Sequence, residues 1–356
     1  MVYILAAILI FGVLVIVHEL GHFLAAKACG VRVNEFSVGM GPQLLHTVRG
    51  ETEYSLRLLP LGGFCAMAGE DDDCDDADSL YRQSIWKQLL IFAAGAAMNF
   101  LTGFLIILAL NSGAKGFPTA DIMALEPEFP RQGEDGIMVG DTIYAINGER
   151  VYLRSDVSLI MELIGAGDET MELTVLRGGE KLTRTLTKQF YKNEDGTERF
   201  AYGFSCGGVV EATPLLRLKY SWYQTLDYVR LVRVSLQMLF SGSAGVKDLS
   251  GPVGIVSTIT EVGKETEAEA GFAAAMENVL LFAAMIAVNL AVMNLLPLPV
   301  LDGGKVLFLT LNTISYRLFR KRIPRRVENA LGTICFALLM AMMLFVTYSD
   351  ITKLFA

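Results

Sequence analysis

Two histidines and a glutamate near the amino terminus form the arrangement in this sequence with the clearest chemical use. They stand in the run His18-Glu19-Leu20-Gly21-His22. Helical side chains four residues apart share one face, and this spacing suits two ligands of one tetrahedral zinc ion. Glu19 follows the first histidine and is placed to act as general base on a zinc-bound water, then as proton donor. The pattern predicts a hydrolytic zinc site.

The surroundings of this motif strengthen the prediction. Residues 2–17 carry no charge, and the apolar run continues through the motif to residue 26. A charged side chain at the centre of a membrane helix costs at least ~2.5 kcal/mol, so Glu19 between two histidines is expected to serve a function. The alternative is a His/Glu hydrogen-bond cluster that joins helices. His46, the remaining histidine, has no partner in the sequence and is expected in a loop.

Asp302 is the best candidate for the third protein ligand that a catalytic zinc ion needs beside its open position. No third histidine occurs in an apolar segment. Asp302 follows Pro297 and Pro299, which break an apolar helix, and backbone freed in this way can line a cavity when protein surrounds it. The alternative is a helix cap at the membrane edge, since Asp before Gly-Gly is also a normal turn.

The composition indicates that these residues belong to a membrane protein. The chain has 356 residues, 53% of them hydrophobic and only 19% charged, with a mean hydropathy of +0.44. Crossing ~30 Å of hydrocarbon takes roughly 20 helical residues. Four uncharged or nearly uncharged blocks approach or exceed that length, at residues 2–26, 89–110, 279–296 and 330–348. The net charge of −8 argues against a nucleic-acid partner.

The predicted fold class is a multi-pass α-helical membrane protein with four transmembrane helices, a membrane-associated β-hairpin and an inserted extracytoplasmic α+β PDZ-like domain. Its predicted parts, in chain order, are a first span with the His-Glu motif (1–27), a cytoplasmic loop (28–88), a second span (89–110), the PDZ-like domain (117–210), an amphipathic or linker region (211–270), a third span (271–300), a basic cytoplasmic loop (301–329) and a fourth span (330–349).

Charge sets the expected orientation. The densest basic cluster lies between residues 305 and 326, and short basic loops stay in the cytoplasm. With four spans, both termini and the long loop 111–272 are then expected outside. The first and third spans run in the same direction, so the His-Glu motif and Asp302 both lie toward the cytoplasmic side and can meet.

The loop after the first span combines extended chain with an acidic tail. Residues 36–70 contain glycine turns and an alternating apolar pattern, which predicts the β-hairpin. Residues 70–78 hold seven acids in nine positions. A calcium site is conceivable there, but the EF-hand spacing and its glycine are absent, so a solvated linker is favoured.

The long outer loop contains a pattern that resembles a PDZ domain of the bacterial protease type. Its turn supplies glycines and backbone N–H groups that are expected to hold a peptide, through Gly136, Ile137, Gly140 and Asp141. An Asn-Gly hairpin turn, a helical stretch and further strands follow. PDZ domains bind extended peptide by adding a strand to a sheet edge. The alternative is a generic small β-rich domain.

Taken together, the motifs resemble the site-2 protease family and its bacterial RseP/RasP branch. The resemblance is carried by HELGH in the first span, GAAMN in the second, GMG in the hairpin, SGPVGI before the third span and NLLPLPVLDGG at its end. It covers essentially the whole chain. Proteobacterial members have two PDZ domains, whereas this loop has room for one. Exclusion of substrates by a pair of PDZ domains is therefore not expected in this chain.

The resemblance implies an intramembrane zinc endopeptidase with one Zn²⁺ per chain. It implies zinc ligands at His18, His22 and Asp302, and Glu19 as the catalytic acid and base. Four further residues are implied to bind substrate: Asn289, Asn294, Gly39 and Gly41. For the two asparagines, interhelical hydrogen bonding is the alternative.

Family substrates are single-span membrane proteins such as anti-sigma factors, or signal-peptide remnants. They are cleaved in the cell membrane after an upstream protease has trimmed them. A membrane-tethered PDZ scaffold with a silent motif is the alternative function. An ion transporter is a third, but it predicts ionisable residues in the second and fourth spans, and neither span offers any.

Overall fold

A computed structural model describes residues 1–70, 76–127, 129, 133–163, 169–192, 198–242, 245, 250–321 and 324–355. The chain divides into two compact units. The first combines Met1–Ile107 with Tyr228–Ala356, and the second is Leu108–Asp227. Of the predicted acidic linker, residues 71–75 lie outside the described residues.

The described elements, in chain order, are α1 (Val2–Cys29), β1 (Val33–Arg49), β2 (Thr52–Met67), α2 (Ile85–Asn111), β3 (Gly116–Leu125), β4 (Thr142–Ile146), β5 (Glu149–Arg150), α3 (Arg154–Leu163), β6 (Thr170–Arg177), β7 (Glu180–Thr187), β8 (Gln189–Lys192), β9 (Glu198–Ala201), β10 (Phe204–Glu211), α4 (Pro214–Ser241), α5 (Pro252–Ala270), α6 (Phe272–Asn294), α7 (Asp302–Phe319) and α8 (Arg325–Phe355).

Within the part of the chain that the structure describes, four helices are long and apolar enough to cross a membrane, which agrees with the predicted four-helix membrane class. They are α1, α2, α6 and residues Arg326–Lys353 of α8. Their apolar composition leaves few polar side chains, and a helix satisfies its own backbone groups, as the hydrocarbon interior requires. The polar groups that these helices do contain therefore need a specific explanation.

Small residues let the helices of the first unit approach closely. Gly103 of α2 lies against Val288 and Ala284 of α6. Gly263 of α5 lies against the ring of Tyr3 in α1. A larger side chain at either glycine would force the helices apart, in keeping with the small-residue contacts that membrane helices use.

A two-stranded antiparallel hairpin follows α1. Strands β1 and β2 pair from Val33 opposite Met67 to Arg49 opposite Thr52, and the hairpin folds back on itself, so that Glu35–Val38 of β1 lie between Gly63–Ala66 and Glu53–Leu56 of β2. The base of the hairpin is buried, whereas its distal half exposes apolar side chains on both strands: Met40, Leu44, Leu45, Val48, Leu56, Leu58 and Leu59. An exposed apolar ribbon of this size is typical of a surface that meets lipid or another protein. His46, expected in a loop, lies in β1 instead.

The segment predicted as a basic loop, residues 301–329, contains the helix α7. The predicted connection between the third and fourth spans is therefore helical over Asp302–Phe319. Proline and glycine suggested a break, but Gly303 and Gly304 pack directly on carbonyl groups of the preceding turn, where a side chain would clash. Helix α7 is amphipathic, and its apolar face buries Phe308. The helix thus forms because it can cover part of the core beside α1 and the hairpin.

The second unit is built on a six-stranded sheet. Its order is β10-β3-β4-β6-β7, with β5 paired to β4. The β4–β5 turn is Asn147-Gly148, whose positive φ angles of 49° and 79° match the predicted Asn-Gly hairpin turn. Helix α3 contributes Val157 and Ile160 to the buried core of the sheet. The identity of this unit as a PDZ domain stays a prediction.

Candidate zinc site

Helices α1 and α7 bring three potential metal ligands together. His18 and His22 lie one turn apart on α1, and Asp302 is the first residue of α7. The Nε2 atoms of the two histidines are 3.2 Å apart, and each lies 3.1 Å from Oδ2 of Asp302. All three side chains are largely buried, with between 8% and 12% of their surface exposed. The three atoms form a nearly equilateral triangle.

The size of this triangle fits a zinc ion. Zinc bonds of ~2.0–2.1 Å in tetrahedral geometry place neighbouring ligand atoms ~3.3 Å apart. If a single proton joined one histidine to the aspartate, the nitrogen and oxygen of that pair would lie about 2.7–2.9 Å apart. The nitrogen of the other histidine would then lie farther from both. Two imidazole nitrogens and a carboxylate oxygen are also a donor set that zinc prefers. The chemistry and spacing of this cluster therefore suit zinc.

A backbone carbonyl of α2 orients His22. Nδ1 of His22 lies 2.8 Å from the carbonyl oxygen of Ile91. A carbonyl can only accept, so Nδ1 carries the proton and donates it to Ile91. In the neutral ring this leaves the Nε2 lone pair directed at the centre of the triangle. Histidine ligands of metals are commonly fixed by such an outer hydrogen bond.

Helix α2 also supplies the surface on which both imidazoles rest. A Cβ at Gly95 would lie 2.6 Å from Cε1 of His18 and would overlap Nε2 of His22. On the facing helix, a Cβ at Gly21 would lie 2.8 Å from the carbonyl carbon of Ala94. The two glycines allow α1 and α2 to cross so closely that a helix backbone forms one wall of the site.

Glu19 lies beside the triangle in a cavity of about 380 Å³. The cavity is lined by His18, Glu19, His22, Phe64, Cys65, Ala66, Met67, Glu70, Phe92, Asp302 and Lys305. The hairpin strand β2 therefore forms part of the cavity wall. A Cβ at Gly63 would come 3.7 Å from Cγ of Glu19, so the strand passes the Glu19 side chain at van der Waals distance. The cavity combines a candidate base, a candidate metal site and an extended backbone.

Of the two asparagines predicted to bind substrate, Asn294 lies at the site. Its side-chain nitrogen is 3.4 Å from Nδ1 and 3.5 Å from Nε2 of His18. Because the two distances are nearly equal, the amide is in line with neither lone pair, and the contact is weak. Asn289 lies one to two turns earlier on α6, and its Oδ1 is buried without a hydrogen-bond partner in the described part of the chain. Both amides thus retain hydrogen-bonding capacity.

The predicted hairpin residues Gly39 and Gly41 lie in β1, away from the cavity lining. Both have positive φ angles, 88° and 86°. At Gly39 a side chain would also strike the carbonyl groups of Leu59 and Arg57 on the paired strand. The irregular pairing of the hairpin therefore explains why glycine occupies both positions. Substrate binding through these residues stays a prediction.

The four residues predicted as a peptide loop precede β4 in the second unit. Ile137 is part of the buried core. Asp141 is 2% exposed; it accepts 2.7 Å hydrogen bonds from Nε and Nη2 of Arg177 and a 2.8 Å bond from the backbone N–H of Met138. These contacts give Ile137 and Asp141 structural roles. Peptide binding by the loop, including Gly136 and Gly140, stays a prediction.

Sequence reasoning missed several residues that the structure brings to the cavity. The carbonyl of Ile91 has no side-chain signature that could have revealed it. Gly95 stands in the GAAMN motif, which gives no sign of its contact with the histidines. Lys305 begins a basic segment of the sequence and Glu70 an acidic one, yet the two pair at the cavity wall. Their separation of 235 residues left no local signal.

Comparison with known proteins agrees with this site. The sequence profile of peptidase family M50 matches residues 6–342. A protein of Clostridium perfringens, named as a candidate zinc metalloprotease, is 37% identical over 350 residues that cover 98% of each chain. A similarly named protein of Clostridium acetobutylicum is 35% identical, covering 98% of this chain and 97% of the relative. The regulator of sigma-W protease RasP of Bacillus subtilis is 28% identical over 99% of each chain.

Proposed function

The chain belongs to peptidase family M50, the site-2 protease family, and from that premise we propose that it cuts peptide bonds within the membrane segments of single-span proteins. It is a membrane zinc metalloprotease. The proposal adds the substrate class and the roles of individual residues. The observation that carries it is the triangle of His18, His22 and Asp302 beside Glu19 in one buried cavity.

His18, His22 and Asp302 would hold the ion through Nε2, Nε2 and Oδ2, with Ile91 fixing the ring of His22. When bound, zinc supplies a Lewis acid that acidifies water and polarises the scissile carbonyl. Glu19 then takes the proton from the attacking water and transfers it to the amine that leaves. The cavity walls restrict access of bulk water, which strengthens these interactions.

The substrate has to be extended before it can react. A membrane helix hides its carbonyls in i→i+4 hydrogen bonds, so the segment around the scissile bond must unwind. Unwound backbone in a membrane needs new hydrogen-bond partners. Strand β2 passes Glu19 along Gly63–Met67, and its edge away from β1 can provide them by strand addition. The buried Oδ1 of Asn289 and the weakly bonded amide of Asn294 would contact the same segment.

Placement in the cell follows from charge. We place the enzyme in the cell membrane with the zinc site toward the cytoplasm, because the basic residues between Lys305 and Arg326 favour that side. The PDZ-like domain would then be extracytoplasmic. There it would bind the trimmed end of a substrate or exclude substrates that still carry a large outer domain. Anti-sigma factors and signal-peptide remnants left by an upstream protease are the expected substrates.

The test compares the parent enzyme with Glu19→Gln. Both are purified in detergent, loaded with zinc and mixed with a single-span reporter whose outer domain has been removed. The variant should hold zinc as the parent does but cleave about 10²–10⁴-fold more slowly, the usual contribution of a general base. Equal cleavage by both proteins would overturn the assignment. Loss of cleavage with unchanged binding of the reporter would separate a protease from a peptide-binding scaffold.

A further inference from the structure

An ion pair forms part of the wall of the cavity. Nζ of Lys305 lies 2.5 Å from Oε1 of Glu70. Lys305 is one helical turn beyond Asp302 on α7, and Glu70 is three residues beyond the end of β2. Both residues line the same cavity as the candidate zinc ligands. The pair therefore ties the end of the hairpin to the helix that begins with a zinc ligand.

The setting of this pair distinguishes it from another ion pair of the hairpin. The side chains of Lys305 and Glu70 are 35% and 16% exposed, and the ammonium also lies 5.7 Å from the ring centroid of Phe92 on α2. The pair Lys27–Glu51 joins α1 to the hairpin turn, with side chains 31% and 54% exposed. Exposed pairs contribute little to stability. Glu70 is the more buried of the two carboxylates, so the pair at the cavity is better suited to hold a fixed geometry.

In the proposed reaction, the pair connects the element that would position the substrate to the element that would position the zinc ion. Strand β2 supplies the wall Phe64–Met67, along which the substrate would be held. Helix α7 supplies Asp302, which would fix the zinc ion relative to His18 and His22. The position of one element against the other decides which substrate carbonyl reaches the ion.

We propose that the Lys305–Glu70 ion pair determines which peptide bond of the substrate is cut. The proposal rests on the proposed function, in which the substrate pairs with β2. Successive residues of a strand are ~3.3 Å apart, and their carbonyls alternate in direction. A displacement of β2 by a few ångströms therefore brings a different peptide bond to the zinc ion. The pair holds β2 and α7 in one register and makes one bond the preferred site.

Two other roles for the pair give different results and can be separated. If the pair only stabilises the fold, breaking it lowers stability and leaves the cleavage position unchanged. If Lys305 acts alone on the substrate carbonyl, Lys305→Gln slows the reaction while Glu70→Gln does not. If the pair sets the register of β2 against α7, removal of either partner has the same effect on the cleavage position. Exchange of the two charges then restores the original cleavage position.

The experiment uses the full-length, zinc-loaded enzyme with the trimmed single-span reporter, and mass spectrometry identifies every product end. Glu70→Gln and Lys305→Gln should each lower the ratio of the main product to products cut at neighbouring bonds by about tenfold, a coupling within the range for residues of one network. Glu70→Lys combined with Lys305→Glu should restore the ratio, and Lys305→Arg should stay close to the parent. Glu51→Gln, which breaks the exposed pair, is the matched control and should change nothing.

A second measurement does not depend on turnover. In the Glu19→Gln background, reporters with a photo-crosslinker at successive positions should form adducts with β2 at one preferred position. That preference should broaden when Glu70→Gln or Lys305→Gln is added. Zinc content and melting temperature are recorded for each variant, so that loss of fold is recognised.

Unchanged product ends and an unchanged cross-linking profile in both single variants would overturn the proposal. An effect of Lys305→Gln without a matching effect of Glu70→Gln would overturn it as well. Absence of cleavage by the parent enzyme is a different result, since it contradicts the proposed function itself.

Discussion

Asp302 in the first unit and Asp141 in the second are both buried carboxylates, but their surroundings differ in one respect. Asp141 accepts hydrogen bonds from the guanidinium of Arg177 and from the N–H of Met138, and the positive charge of Arg177 balances it within the fold. Asp302 faces two histidine nitrogens, and the ring of His22 has already committed its Nδ1 proton to Ile91. The protein itself supplies the donors of the Asp141 cluster, whereas the Asp302 cluster brings together three groups that could hold a metal ion.

A polar cluster that supports the fold and one that is built to bind a ligand differ in whether the protein supplies every hydrogen-bond donor. A buried charge must be paired and hydrogen-bonded to be tolerated. Where the protein supplies the whole arrangement, as around Asp141, the cluster supports the fold. Where acceptors converge without enough protons, as around Asp302, the fold has been stabilised elsewhere to hold an incomplete site.

The largest effect should follow from removal of the carboxylate at the incomplete site. Asp302→Ala leaves two zinc ligands. Loss of an outer-sphere hydrogen-bond partner alone lowers metal affinity by up to about 100-fold, so loss of a direct ligand should lower the zinc affinity by more than that. The measurement is competition with a chelator on the purified protein. The matched variant is Asp141→Ala, which should lower stability and leave zinc binding intact. Tightly held, stoichiometric zinc in Asp302→Ala would exclude Asp302 as a ligand.

A somewhat smaller effect is expected from Gly95→Ala, which changes no ligand. The added methyl group would overlap the imidazoles and push them from their positions, so zinc affinity should fall about 10–100-fold. Gly332→Ala in α8 is the control, because its methyl group would meet nothing closer than a carbonyl oxygen at 4.0 Å. If the two variants bind zinc equally well, the close approach of α2 to the histidines is not needed for the site.

The smallest effect concerns how the stability contributed by the Asp141 cluster depends on pH. Burial pushes the pKa of Asp141 upward, but the hydrogen bonds from Arg177 and Met138 outweigh it and hold the pKa below its ordinary value. The stability from Asp141 is therefore present above the ordinary pKa of about 3.9 and is lost as pH falls through the lower folded value. In that acidic range, the rate of hydrogen exchange in β4 and β6, corrected for intrinsic rates, should rise by at most about tenfold per pH unit, because one group titrates.

Arg177→Met provides the comparison for that measurement. Without the guanidinium, Asp141 loses its main stabilising partner, so the variant should be less stable at neutral pH and should lose little more on acidification. The same acid sensitivity in the parent and in Arg177→Met would show that other groups dominate the response.

Part of this structure could be predicted from the sequence because the signals were local. Long uncharged segments predicted the four membrane helices, since the bilayer fixes their length. The Asn147-Gly148 dipeptide predicted a hairpin turn, because both residues tolerate positive φ. The helix α7 was missed for the opposite reason: Gly303 and Gly304 suggest a turn until the backbone on which they pack is known.

The sequence by itself determined which side chains are available for chemistry near the amino terminus. Spacing places His18 and His22 on one helix face with Glu19 beside them, because helix geometry fixes neighbours within a turn. Only the tertiary structure decided how these groups are held. The carbonyl of Ile91, the bare backbone at Gly95 and the pairing of Glu70 with Lys305 depend on how distant segments pack, and no local pattern encodes a contact between residues 235 positions apart.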